Sequence, residues 1–183
     1  DADIPRAAGI AARASFANAG QLCISMERLL VDRAVYEPFV RAFVEATCAL
    51  RLGAATGWEA QVGSLISPAQ LARVQAHVDD AVAKGARVLA GGRPRPDIGP
   101  CAFEPTILEG VTSDMDVCDE ETFGPVVAVR AFATDAEAIA LANETSYGLN
   151  AAVLGRDRAA ARQVARQLRA GTVNVNEGYA AAW

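Results

Sequence analysis

The chain has 183 residues, 52% hydrophobic and 21% charged, which describes one globular domain with a full core rather than a disordered segment. A formal net charge of −5 and a sequence pI near 4.9 argue against nucleic-acid binding. No apolar run approaches the roughly 18–20 residues of a membrane span. Asp1 to Pro5 lacks the charged-then-apolar pattern of a secretion signal, no membrane partner is expected, and four cysteines without a pairing pattern suggest a cytoplasmic protein with reduced thiols.

In chain order, a helix is predicted from about Asp3 to Asn18, followed by a strand over Arg28–Val31. A second helix is expected over Ala34–Leu50, with Phe39, Phe43, Ala46 and Leu50 at helical spacing. Ser67-Pro68-Ala69-Gln70 reads as a capping box with proline at the first helical position. The helix it opens carries Leu71, Val74, Val78 and Ala81 on one face. Arg87–Ala90 reads as a strand ended by Gly91-Gly92, and the proline-rich stretch from Arg93 to Pro105 as a loop. Strands follow near Thr106–Leu108 and Val126–Val129, then a helix capped by Thr134. A strand near Ala151–Leu154, a helix over Asp157–Ala170 and a strand at Thr172–Val175 complete the chain. Helices interleaved with short β-rich runs argue an α/β fold, an open twisted sheet covered by helices.

The cysteines are Cys23, Cys48, Cys101 and Cys118, and their spacing fits neither a zinc site nor a redox pair, so no metal is expected. Cys48 lies in an apolar-periodic stretch and is expected to be a small core residue. Cys101 and Cys118 fall near loops with no chemistry around them. Cys23 differs: it follows Gly20 at the junction between a helix and a strand, where a thiol can face a ligand while regular elements hold it still. The one histidine, His77, falls in line with Gln70, Arg73, Asp80 and Lys84, opposite the apolar face of its helix. It is therefore expected on the solvated surface and not as a base for Cys23. Activation of the thiol would then come from backbone amides, a helix terminus or a carboxylate.

Four motifs then occur in order. Phe16-Ala17-Asn18-Ala19-Gly20-Gln21-Leu22-Cys23, with Arg28 following, resembles the catalytic-cysteine signature of the aldehyde dehydrogenase family. Glu120-Glu121-Thr122-Phe123-Gly124-Pro125-Val126 resembles that family's cofactor segment. Asn143 to Leu149 is similar to its N-x-x-x-Y-G-L turn, and Gly171 to Asn176 to a strand near its active site.

The resemblance implies an NAD(P)-dependent oxidation of a small aldehyde to the carboxylate, with NAD or NADP as cofactor. Cys23 would be the catalytic nucleophile, passing through a thiohemiacetal and a thioester, with its own backbone N–H as one oxyanion donor. Glu121 would hold the ribose of the nicotinamide half, and Phe123 would pack beside it. Asn18 and Asn176 would brace the cysteine loop. Ala17, Leu22 and Ile24 are expected near the substrate. The cysteine motif with Glu27-Arg28 looks most like the bacterial succinate-semialdehyde branch, although many members carry an arginine where Ala17 stands. Ser25 replaces the second cysteine that some relatives use as a thiol switch.

Residues 1–183 would thus be the family's catalytic domain. A Gly-rich dinucleotide turn, the general-base glutamate, the oxyanion asparagine and a C-terminal tail would lie outside it. The isolated chain is expected to oxidise aldehydes poorly or not at all, and its parent to be a homo-oligomer. Two other readings stay open: a cysteine-dependent hydrolase, and a non-catalytic scaffold domain.

Overall fold

The structure, a computed structural model, describes residues 1–53 and 59–178. Helix α1 spans Ile4–Phe16, and the carboxylate of Asp3 caps it by accepting from Arg6 N at 3.1 Å. Its alanines Ala7, Ala8, Ala11 and Ala12 are buried, and such small side chains let helix α2, Tyr36–Cys48, approach closely. Phe16 at the end of α1 stacks on Phe43 of α2, with ring centroids 6.1 Å apart, and Phe43 in turn on Phe39.

Strands β1 (Arg28–Asp32), β2 (Arg87–Ala90), β3 (Thr106–Glu109) and β4 (Val126–Phe132) form one sheet in the order β1-β4-β3-β2. β4 runs parallel to both neighbours, pairing Leu30 with Arg130 and Ile107 with Val127. β2 is the antiparallel edge strand. The central strands are apolar on both faces, as covered parallel strands must be: Ile107, Leu108, Val126, Val127 and Val129 are all buried. Helix α3, Pro68–Ala83, contributes Val74, Val78 and Ala81 to this core.

The remaining elements are a short helix α4 (Asp116–Asp119), α5 (Asp135–Asn143), β5 (Asn150–Val153), α6 (Arg158–Ala165) and β6 (Thr172–Val175). β5 and β6 pair in parallel as a separate two-stranded sheet, so the strands divide between two sheets rather than joining one. Helix α4 went unread because four residues carry no periodicity.

Cys48 corrects an expectation: it is exposed. The buried line of α2 runs Phe39, Phe43, Thr47, four residues apart, which turns Cys48 away from the core. Cys101 and Cys118 are half-buried. Among the described residues, no helix is long and apolar enough to cross a membrane.

Candidate active site

The cysteine turn leaves α1 through a backbone conformation that few sequences adopt. Asn18 (φ 52°), Ala19 (φ 55°) and Gly20 (φ 69°) are three successive left-handed residues. The strain is held by local bonds. Asn18 Nδ2 donates to Gln21 O at 3.1 Å, Gln21 Nε2 donates to Asn18 O at 3.2 Å, and Ile66 N donates to Gln21 Oε1 at 2.8 Å. Met26 N then returns to Ala14 O at 3.1 Å, so the turn is closed against the helix it came from. Cys23 stands exposed on this frame, and its backbone N–H has no hydrogen-bond partner among the described residues.

Cys23 opens onto a cleft of about 480 Å³ between β1 and β5, whose wall also carries Glu27, Glu121, Tyr147 and Asn150. Ser25 lines it too, with a buried hydroxyl oxygen that finds no partner among the described residues. Ala17, Leu22 and Ile24 are half-buried and stand outside the wall of this cleft. Phe123 is also outside it, half-buried, with φ 51°.

Every backbone polar group from Glu121 to Phe123 is gripped from another element. Glu121 N donates to Tyr147 Oη at 3.1 Å, and its carbonyl accepts from Arg73 at 2.7 Å. Thr122 N and Phe123 N donate to the two carboxylate oxygens of Glu27 at 2.9 and 2.8 Å. Gln70 Nε2 donates to both Thr122 O and Phe123 O at 2.9 Å. What remains of Glu121 is its carboxylate, exposed and without a protein partner among the described residues. An acceptor pair with a fixed backbone, on the same cleft as an exposed thiol, can take hydrogen bonds from the hydroxyl groups of a ligand.

Glu27 was not singled out for any role by sequence. Its carboxyl is pushed up by burial, which outweighs the two amide donors that favour the charged form, and Glu121 nearby adds to the rise. Its place four residues after Cys23, in the turn leading to β1, was the available signal.

Arg28, the last residue of the cysteine motif, lines the same cleft but is tied down by backbone carbonyls. Its guanidinium donates to Leu141 O at 2.9 Å and Glu144 O at 3.4 Å, capping the C-terminal end of α5. Asn176 does not brace the cysteine loop; its side chain accepts from Gly155 N at 2.9 Å. Asn150 does, donating to Ile24 O at 3.2 Å, and Asn174 donates to Asn150 Oδ1 at 2.9 Å. Strand alternation alone would put both asparagines on one face; they part because Asn174 is buried within β6, whereas Asn176 has left the strand at φ 63°.

His77 is the largest departure. It is buried, 5% exposed, and its Nδ1 lies 3.1 Å from Thr122 Oγ1. The polar face of α3 lies along the 112–123 segment, burying His77 while Arg73 and Lys84 stay exposed at its edge. Gln70, Arg73 and His77 all bond into that segment, Asp80 accepts from Asp116 N at 2.9 Å, and Lys84 bonds Asp114 O at 2.5 Å. The capping box is likewise half-made, since Ser67 Oγ accepts from Gln70 N at 3.2 Å while the Gln70 side chain is committed to the segment.

A model described as the aldehyde dehydrogenase family matches residues 1–183, the whole chain. The chain belongs to this family. It is 54% identical over 177 residues to a Mycolicibacterium smegmatis protein whose name provisionally assigns it as an NADP(+) succinate-semialdehyde dehydrogenase, covering 97% of this chain and 34% of that protein. A Mycobacterium bovis protein of the same provisional name is 51% identical over 182 residues, covering 100% of this chain and 35% of its own length. The chain therefore spans about a third of the length of these relatives. Among solved structures, betaine aldehyde dehydrogenase from Staphylococcus aureus in complex with NAD+ matches with a TM-score of 0.93 at 35% identity, covering 97% of this chain and 36% of that one. An aldehyde dehydrogenase from Mycobacterium tuberculosis complexed with NAD+ matches at 0.92 and 34% identity, covering 97% and 37%. At these identities the likeness extends from fold to family.

Proposed function

We propose that this chain is the catalytic-cysteine domain of an NAD(P)-dependent aldehyde dehydrogenase, with succinate semialdehyde as the substrate that its relatives' names favour. The observation that carries the reading is the shared cleft. It brings an exposed thiol, Cys23, and a free carboxylate on an immobilised backbone, Glu121, to one wall.

In this reading the thiolate of Cys23 adds to the aldehyde carbon, forming the C–S bond of a thiohemiacetal while the carbonyl oxygen takes the negative charge. The N–H of Cys23, unpartnered among the described residues, is a donor for that oxygen, on a turn held by the bonds of Asn18 and Gln21. A nicotinamide cofactor, when bound, would supply the acceptor for the hydride that the thiohemiacetal carbon must lose to become a thioester. Glu121 would hold that cofactor by accepting from its ribose hydroxyls, on a backbone fixed by its bonds with Tyr147 and Arg73. Water then cleaves the thioester and returns the thiol to Cys23. In this reading Phe123 would pack beside the nicotinamide half and Ala17, Leu22 and Ile24 would face the substrate, although all four stand outside the wall of this cleft. The cytoplasmic setting and homo-oligomeric parent belong to the same proposal.

The test is reduced-nicotinamide formation from succinate semialdehyde, measured for this chain and for the full-length parent with NAD and with NADP. Activity in the parent that disappears in Cys23→Ala is the expected result. A parent that turns over other aldehydes but not this one would remove the substrate assignment. Loss of all oxidation alongside cofactor-independent ester cleavage would favour the hydrolase.

A further inference from the structure

Thr122 is 1% exposed, so its hydroxyl needs a protein partner, and His77 is the one it has. The neighbouring backbone is held by side chains that reach in from elsewhere: Glu27 from the cysteine loop, Gln70 and Arg73 from α3, Tyr147 from the turn before β5. Among the described residues, the Thr122 hydroxyl is the one side-chain group from Glu121 to Phe123 that is hydrogen-bonded to another element. The imidazole meeting it stands on α3, one turn beyond Arg73. On its other side, His77 Nε2 lies 3.8 Å from Glu120 Oε2, and Glu120 also pairs with Arg73 at 3.3 Å. A carboxylate on the Nε2 side favours the tautomer that carries the proton there, which leaves Nδ1 to accept from the Thr122 hydroxyl.

We infer that His77 is a positioning residue: by holding Thr122 it sets where Glu121 projects into the Cys23 cleft, an inference that rests on the cofactor-binding reading of Glu121. The helix position is suited to the task. A ring on α3 is fixed by its own burial and presents one nitrogen to each of two consecutive corners of the segment, Glu120 and Thr122. The charged groups facing it are Arg73 and Asp80 from α3, Asp116 from α4, and Glu120 from the segment itself. Arg73 and burial oppose a positive ring while the three carboxylates favour one, and the balance falls on the neutral side.

Two measurements test this. In the 183-residue chain, amide exchange at Thr122 and Phe123 should quicken about fivefold in His77→Leu, the effect of one lost hydrogen bond, while Val127 and Val129 of β4 keep their rates. Thr122→Val should do the same, and the double variant should do no more than either, because both remove one bond. His77→Asn, whose side-chain amide can reach the Nδ1 position, should recover most of the protection. In the full-length parent, His77→Leu should raise the cofactor KM by a similar factor with little change in kcat. Unchanged exchange in Thr122→Val, additive effects in the double variant, or an asparagine variant no better than leucine would each overturn the inference. If Glu121→Gln leaves the cofactor KM unchanged, the assignment of Glu121 falls and this inference with it. If Glu121→Gln raises that KM and His77→Leu does not, the inference about His77 alone is overturned.

Discussion

Gly20 of the cysteine turn rests directly on the backbone of Gly124 in the 120–126 segment: a Cβ built on Gly20 would stand 2.0 Å from Gly124 O. Gly124 is in turn pressed on α3, where its own Cβ would come within 2.4 Å of Val74 Cγ2. Two motifs a hundred residues apart in sequence are thus one packed unit, and the thiol and the carboxylate are set relative to each other by backbone contact. Gly20→Ala should cost about 3 kcal/mol, combining the left-handed φ of 69° with the overlap. Urea unfolding of the two proteins would measure it, and a cost below 1 kcal/mol would mean the two segments are free to separate.

Glu27 is expected to act in two opposite ways. Glu27→Ala leaves two amides of a half-buried segment without acceptors and should destabilise by about 2 kcal/mol. Ionisation of the same carboxyl works against the fold. Its folded pKa lies above 4.5, so the folded chain holds the proton more tightly, and that stabilisation is present below 4.5 and lost as pH rises through the folded value. The unfolding free energy of the wild type minus that of Glu27→Gln should therefore fall as pH rises from 4.5 to neutrality. A difference that stays flat would show that burial does not perturb this group.

His77 has the reverse sign. Burial and Arg73 hold its folded pKa below 6.5, so the unfolded chain takes up the proton first. Its contribution is complete above 6.5 and is lost as pH falls through the folded value. The wild type should lose stability relative to His77→Leu over that interval. As the only histidine, it gives a single imidazole Cε1–H resonance in NMR, and a titration midpoint at or above 6.5 would contradict the burial.

The four thiols should separate by access. Cys23 and Cys48 are exposed while Cys101 and Cys118 are half-buried, so brief iodoacetamide treatment followed by peptide mass spectrometry should find label on the first pair before the second. Cys23→Ala should leave the melting temperature of the chain within a degree or two, since an exposed thiol contributes little to packing. In the parent it should remove aldehyde oxidation by about three orders of magnitude or more.

Asn150→Leu should release Ile24 O and leave Asn174 without its side-chain partner, costing about 1–2 kcal/mol. Asn176→Leu should leave the cysteine loop undisturbed, because its side chain holds Gly155 instead. Alkylation rates at Cys23 in the two variants would separate them; equal rates would refute the assignment of the brace to Asn150.

The elements were legible because their causes are local. Asp3, Ser67 and Thr134 cap helices where the cap pattern places them. The β-rich runs at Thr106–Leu108 and Val126–Val129 announce strands, and the left-handed turn before Cys23 is eased by the Asn18 and Gly20 that stand there. The four motifs and their order, which carry the family, are likewise a property of the chain read from end to end. The tertiary structure alone decided the fate of polar side chains. Hydrophobic periodicity reports which face of α3 is apolar, and it says nothing about whether the other face meets water or another segment. His77 is buried because Thr122, 45 residues away, comes to it, and Glu27 because Thr122 N and Phe123 N, 95 and 96 residues away, do. A buried polar group is stable only with its partner in place, and the partner is supplied by the fold.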